Sequence, residues 1–140
     1  EGSPNELIVQ SKINYDFIDV PIVHLTKLKL IRAEALAMIN SDLPTAIQDI
    51  NDIRERAYGG STQNLDGTAT VSDVLAAARY ERRVELMCEG DRAHELKRLG
   101  VLGEINTIRG ADWDCPGQVL QFPAVERSSV FVLNEEGGCQ

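Results

Sequence analysis

Apolar positions along the chain first fall into a helical rhythm after Pro21. Ile22, Leu25, Leu28, Ala35, Leu36 and Ile39 recur at helical spacing, and Pro21 suits a first helical position. Asn40-Ser41-Asp42 are turn and cap residues and predict the end of this helix. Pro44 then opens a second helix, with Ala46, Ile47, Ile50, Ile53 and Ala57 as its apolar stripe. Tyr58-Gly59-Gly60 stops it, because glycine accepts the left-handed conformation that closes a helix. A connection this short forces the two helices antiparallel. After a polar loop from Ser61 to Thr70, Thr70-Val71-Ser72-Asp73 reads as a capping box. The third helix it starts runs through Val74, Leu75, Ala78, Val84 and Leu86 to about Glu89. Gly90 interrupts, and a further helical piece carries Leu96 and Leu99 to Gly100. Beyond that point glycine and proline punctuate the chain. The pattern there predicts loop, a short helix near Leu102–Ile108 and apolar runs at Val119–Phe122 and Val130–Leu133. Residues 1–20 read as an extended lead-in with one short strand around Leu7–Gln10.

The stretch from Leu30 to Ala57 is compatible with one tetratricopeptide unit or with a generic antiparallel helix pair. Ala33, Ala35 and Ala37 in the first helix and Ala46 in the second are small enough for two backbones to approach closely. One such unit cannot bury its stripe alone, since stable arrays need about three. Either its neighbours belong to a longer chain or the tail packs in their place.

Composition narrows the function classes. The chain of 140 residues is 43% hydrophobic and 26% charged, enough for one domain with a core. Twenty-two acids against fourteen bases leave a net charge of −8. That balance argues against nucleic acid or anionic lipid as the main partner, because both need a basic face. No apolar run reaches the roughly 20 residues that span a bilayer. The first ten residues have no basic or apolar signal-peptide region. Cys88, Cys115 and Cys139 form no CxxC pair and no metal-ligand spacing with His24 and His94, so no metal site is expected; no cofactor is expected either. Cys88 reads as a small buried hydrophobe. Cys115 and Cys139 lie in loop-like sequence, and either form a disulfide in an oxidising compartment or stay as two thiols.

The segment from Tyr80 to Gly100, YERRVELMCEGDRAHELKRLG, concentrates the charge. On a helix, Glu81, Glu85 and Glu89 share one face and Arg79 and Arg83 another. Arg82 lies within reach of Glu85, Arg92 of Glu89, and Glu95 of Arg98. Paired carboxylates suggest glycoside hydrolysis, but that chemistry needs two carboxyl groups facing each other about 5 to 9.5 Å apart across a substrate. Carboxylates along one helix face nothing across a cleft, and nearby arginines lower their pKa. No catalytic residue is therefore assigned. A partly buried arginine–carboxylate lattice fits better, because the guanidinium fork binds carboxylates bidentately and fixes how helices meet.

The same residues carry a resemblance. Glu81-Arg82-Arg83-x-Glu85-Leu86, then Glu89-Gly90-x-Arg92, then Leu96-x-Arg98-x-Gly100 resemble the "ERR-x-EL…EG-x-R…DL-x-R-x-G" signature of the SusD/RagB family. Pro21–Leu36 is similar to the family helix ending in "AEAL", and Ile50-Asn51-x-Ile53-Arg54-x-Arg56-Ala57 to its "IN-x-IR-x-RA". Phe122-Pro123-x-x-Glu126 resembles its "P-x-x-E", and Leu133-Asn134 through Gly138 a degenerate "QNPGY". The chain departs at His24-Leu25-Thr26-Lys27, where the family has Arg-Leu-x-Glu. It departs again at Ala93-His94-Glu95, where the family has an aromatic pair followed by Asp.

The resemblance implies a non-catalytic, surface-exposed glycan- or nutrient-binding lipoprotein of the outer membrane in Bacteroidetes-type bacteria. Its implied partners are an oligo- or polysaccharide and a SusC-like TonB-dependent transporter. It further implies that residues 21–140 form the C-terminal helical domain of a longer parent, whose remainder holds the lipid anchor and most ligand-stacking aromatics. The expected fold is all-α: a tetratricopeptide-like hairpin, further helices and an irregular, loop-rich tail. Glu81, Arg82, Arg83, Glu85, Glu89, Gly90, Arg92 and Arg98 are expected to be structural. The candidate ligand contacts are Trp113, Asp112 and Asp114, since an indole stacks on an apolar sugar face while acids accept hydroxyl bonds. The alternative is that Trp113 plugs its loop onto the helices. Asp112 and Asp114 alone are far short of a calcium cage. Tyr58 and Tyr80 are expected to pack, and His24 and His94 to be structural.

Overall fold

The computed structural model describes residues 22–118, 123–126, 128, 130 and 138–139. Four helices dominate: α1 (Leu25–Met38), α2 (Leu43–Tyr58), α3 (Val71–Glu85) and α4 (Asp91–Val101). A two-stranded hairpin follows, β1 (Thr107–Ile108) and β2 (Ala111–Asp112), with short 3₁₀ turns at Pro116–Gln118 and Ala124–Glu126. The expected all-α class holds. The lead-in with its strand at Leu7–Gln10, the run Val119–Phe122, and most of Val130–Leu133 and of the "QNPGY"-like stretch lie outside the described residues.

Local chemistry sets most helix ends. Asn40 takes the left-handed conformation after α1, and the Ser41 N–H reaches back 2.9 Å to the Leu36 carbonyl. The Asp42 side chain caps α2 by accepting from the Thr45 N–H, and left-handed Gly59 closes it. At α3 the capping box forms as expected: Thr70 N–H donates to Asp73 at 2.9 Å and Asp73 N–H to the Thr70 hydroxyl at 3.3 Å.

The core joins α1, α2 and α3. Ala33 and Ala37 of α1 meet Ala46, Ile47 and Ile50 of α2 and Val74, Ala77 and Ala78 of α3. Loop residues Leu65 and Ala69 seal its edge. The small residues do their expected work at Ala33, Ala37 and Ala46, which let α1 pack closely on both α2 and α3.

Four sequence expectations change. First, α1 buries Thr26, Leu30, Ala33, Glu34 and Ala37, whereas the expected stripe residues Ile22, Leu25, Leu28 and Ile39 are exposed, as is Ala35. A helix that is apolar nearly all round offers no stripe for periodicity to select. Second, α3 ends at Glu85, short of Glu89. At 3.6 residues per turn, continuation would place Leu86 roughly a third of a turn off the buried stripe. Ending the helix buries Leu86 and turns Cys88 outward, so Cys88 is exposed in left-handed backbone and is no core residue. Third, the helix expected at Leu102–Ile108 is absent. Left-handed Gly103 ends α4, and Arg109-Gly110, both left-handed, make the two-residue turn of the β1–β2 hairpin. Fourth, Tyr58 and Tyr80 are exposed where packing was expected. Of the two alternatives for Cys115 and Cys139, the disulfide forms.

Candidate functional site

No residue of α4 belongs to the apolar cluster that joins α1 to α3. Beside its buried Leu99, ion pairs tie α4 to α1 and α3. Glu34, buried in α1, accepts from Arg79 of α3 at 2.9 Å and from Arg98 of α4, whose Nη2 lies 2.8 Å from both carboxylate oxygens. Arg98 also bonds Glu95, at 3.1 Å. Glu95 is buried too, and its second cation is Arg82 of α3, at 3.2 Å. Arg82 forks onto Asp91 at 2.8 and 3.3 Å, and Lys27 of α1 meets Asp91 at 3.0 Å. Three carboxylates (Glu34, Asp91 and Glu95), three guanidiniums (Arg79, Arg82 and Arg98) and Lys27 thus chain three helices together, each acid served by bases from more than one element.

A second group ties α2 to its neighbours. Buried Glu81 accepts from Arg54 at 2.6 Å, and the same guanidinium bonds the Gln63 carbonyl at 2.9 Å. Arg56 pairs with Glu85 and donates to the Thr26 hydroxyl. Buried Asp49 takes both prongs of Arg32, each at 2.7 Å, and Lys29 pairs with Asp52. The Asn51 amide binds both backbone groups of Leu65, at 2.7 and 3.1 Å, holding down the α2–α3 loop. Every polar residue of the Ile50–Ala57 motif named above is a tie: Asn51 to the loop, Arg54 and Arg56 to α3.

Glu34 and Asp91 are kept ionised. Burial pushes Glu34 up, but bonds from Arg98 and Arg79 and their charges outweigh it, and Glu34 sits below the ordinary glutamate range. Asp91 is likewise lowered: bonds from Arg82 and Lys27 overcome the effect of burial. Such groups fix geometry and are poor proton donors at neutral pH.

The signature residues separate by role. Glu81, Arg82, Glu85 and Arg98 are lattice members. Arg82 turns to Asp91 and Glu95 where Glu85 was expected, because α3 stops and α4 swings back beneath it. Glu89 meets His24 at 3.0 Å where Arg92 was expected. Arg83 and Arg92 are exposed and pair with no described residue. Gly90 is left-handed and starts α4. Sequence spacing missed Glu34, Arg79, Arg54, Arg56 and Asp49 as partners. The signal available was their charge inside otherwise apolar helix stripes.

The candidate ligand residues occupy the hairpin and the turn after it. Asp112 and Asp114 are exposed and Trp113 is part-exposed. The Trp113 N–H donates to the Asn106 carbonyl at 3.1 Å, and the Cys115 N–H to that of Asp112 at 3.1 Å. The indole lies against Gly100 at the end of α4, so the turn is fastened to the helices as the alternative reading foresaw. Two residues after Trp113, Cys115 is bonded to Cys139, with 5.5 Å between their α-carbons. Among the described residues no helix is long and apolar enough to cross a membrane, and no group of three His, Cys, Asp or Glu could hold a metal ion.

No curated protein and no solved structure matches the chain. The sequence pattern of the SusD family does match, over residues 9–119, a span that contains all four helices, the ionic lattice and the Trp113 turn. The chain belongs to the SusD family.

Proposed function

We propose that this chain is the helical frame of a non-catalytic glycan- or nutrient-binding lipoprotein, surface-exposed on the outer membrane, that passes oligosaccharide to a SusC-like TonB-dependent transporter. The observation that carries the reading is the family match over residues 9–119. The geometry supports it in two ways. The carboxylates that could suggest hydrolysis are each engaged by a side chain from another element: Glu81 by Arg54, Glu85 by Arg56, Glu89 by His24. The turn carrying Trp113 is held by the hairpin and the disulfide and presents part of an indole between two exposed carboxylates, Asp112 and Asp114. Rigid aromatic surface flanked by acceptors suits the apolar face and hydroxyl rim of a sugar. Affinity electrophoresis of the parent protein through gels containing soluble polysaccharides tests this. Retardation by one polysaccharide, weakened by Trp113→Ala at unchanged fold, is the expected result. Unaltered retardation of the variant removes Trp113 from the site, and a parent that no polysaccharide retards overturns the glycan reading.

The outer face of α1 favours a second reading, a tetratricopeptide-like scaffold for protein–protein interaction. Leu28, Ile31, Ala35 and Met38 follow one another at 3-4-3 spacing and are all exposed. That seam fits an amphipathic helix laid along α1. Leu28→Glu should then abolish co-purification of the parent with a protein partner and leave polysaccharide binding intact.

A further inference from the structure

Gly100 lies within α4, in its last turn, and is buried. Left-handed backbone explains Gly59, Gly90, Gly103 and Gly110, each of which has open space where a side chain would go. Gly100 differs on both counts. Its backbone is not left-handed, so alanine could adopt it, and alanine is the better helix former. What excludes a side chain is the indole. A β-carbon built on Gly100 would sit 2.3 Å from Cδ2 of Trp113, 2.5 Å from Cγ and 2.7 Å from Cε3. These are atoms of the rigid ring system and not the tip of a flexible chain, so the whole indole must move to make room.

We infer that Gly100 is a positioning residue for Trp113: its bare α-carbon is the seat that sets where the indole lies and how much of it the ligand meets. This rests on the proposed role of Trp113 in sugar binding. The lattice gives the seat its precision. Arg98, two residues earlier, locks α4 to Glu34 of α1, so the height of Gly100 is fixed relative to the core. From the other side the Trp113 backbone is held by Asn106. The ring is therefore set between a helix and a hairpin, and a single methyl group at residue 100 must move it. A binding site tolerates roughly 0.5 Å of displacement, less than the overlap this methyl group creates.

Because Trp113 is the only tryptophan, its fluorescence reports the seat directly. In the full chain, Gly100→Ala should shift the emission to the red and raise acrylamide quenching while the far-UV circular dichroism of the helices is retained. In the parent, polysaccharide affinity should fall about tenfold, the scale expected when one good stacking interaction with the sugar is removed. In a Trp113→Leu background, Gly100→Ala should become neutral or stabilising to heat. If Gly100→Ala alone does not fold, recovery of folding in the double variant supports the seat, and failure to recover overturns it. Unchanged emission and quenching, or an equal thermal cost in both backgrounds, also overturns it. A moved spectrum with unchanged polysaccharide affinity refutes the positioning of a ligand-stacking ring. A moved spectrum in a parent that binds no polysaccharide leaves the seat standing and sinks only the glycan reading.

Discussion

Glu34→Gln replaces one buried oxygen by an amide of the same shape and removes one charge. In the native protein both Glu34 oxygens lie 2.8 Å from Arg98 Nη2, and one also receives Arg79 Nε at 2.9 Å. Glutamine keeps one acceptor, loses charge assistance at the other bonds and aims an N–H at a guanidinium. Hydrogen bonds to charged groups contribute about 1.5–3 kcal/mol each, so the expected loss at pH 7 is about 2–4 kcal/mol. For a chain of this size that is on the order of 10 °C in Tm. Urea unfolding should show a lower midpoint with unchanged slope. The pH dependence is the sharper test. The Glu34 pKa is lowered from its ordinary value of 4.5. Its charge therefore contributes stability that is fully present above that value and is lost as pH falls through the lowered native one. The gap between the two proteins should be wide at pH 7, narrow below pH 4.5 and close as Glu34 protonates. A gap that stays constant into the acid range, or a variant within about 0.5 kcal/mol of the native protein at pH 7, refutes the hub role.

The lattice predicts a contrast inside the signature. Arg82→Ala, which strips Asp91 and Glu95 of a shared cation, should cost about 1–3 kcal/mol, while Arg92→Ala should stay within about 0.5 kcal/mol; equal costs in urea titrations would contradict the assignment. Thr70→Ala should lose about 1 kcal/mol through the α3 cap and Thr70→Ser should not, as read from thermal melts. Reducing the Cys115–Cys139 bond, which spans 24 residues, should lower stability by about 3 kcal/mol on a loop-entropy estimate; coincident melts with and without reductant would exclude that. Exposed Cys88 should react with a thiol reagent in the folded, unreduced protein, and protection until unfolding would place it back in the core.

What the sequence made legible was the chemistry settled within a few residues. Thr70 and Asp73, or Asp42 before Pro44, announce helix starts because cap and backbone donor are neighbours in the chain. The buried face of α1 was not legible, since Leu25, Leu28, Ile31 and Leu30 are equally apolar and only the positions of α2 and α3 choose among them. The end of α3 depended on burying Leu86, a tertiary demand. At the candidate site the spacing rule found Glu95–Arg98, three residues apart, and missed Glu34–Arg98, sixty-four apart. Charge pairs across helices obey the fold and not the period. The packing of Trp113 on Gly100 was open as an alternative; that glycine's part in it required the turn to be placed.

The sharing of acids between helices has a consequence for how such a sequence can drift. Replacing Glu34 alone leaves Arg79 and Arg98 short of a partner, and replacing Arg98 alone thins the cations around both Glu34 and Glu95. Severing a buried pair by one change typically costs 3–5 kcal/mol, whereas exchanging a whole ionic group for apolar side chains is often neutral or better. The better-packed alternative is therefore reachable only through several substitutions at once, across a valley of poorly folded intermediates. Apolar core residues face no such barrier, since leucine can pass to methionine or isoleucine in one tolerable step. A frame wired in this way is expected to lose its hydrophobic spelling long before its charges.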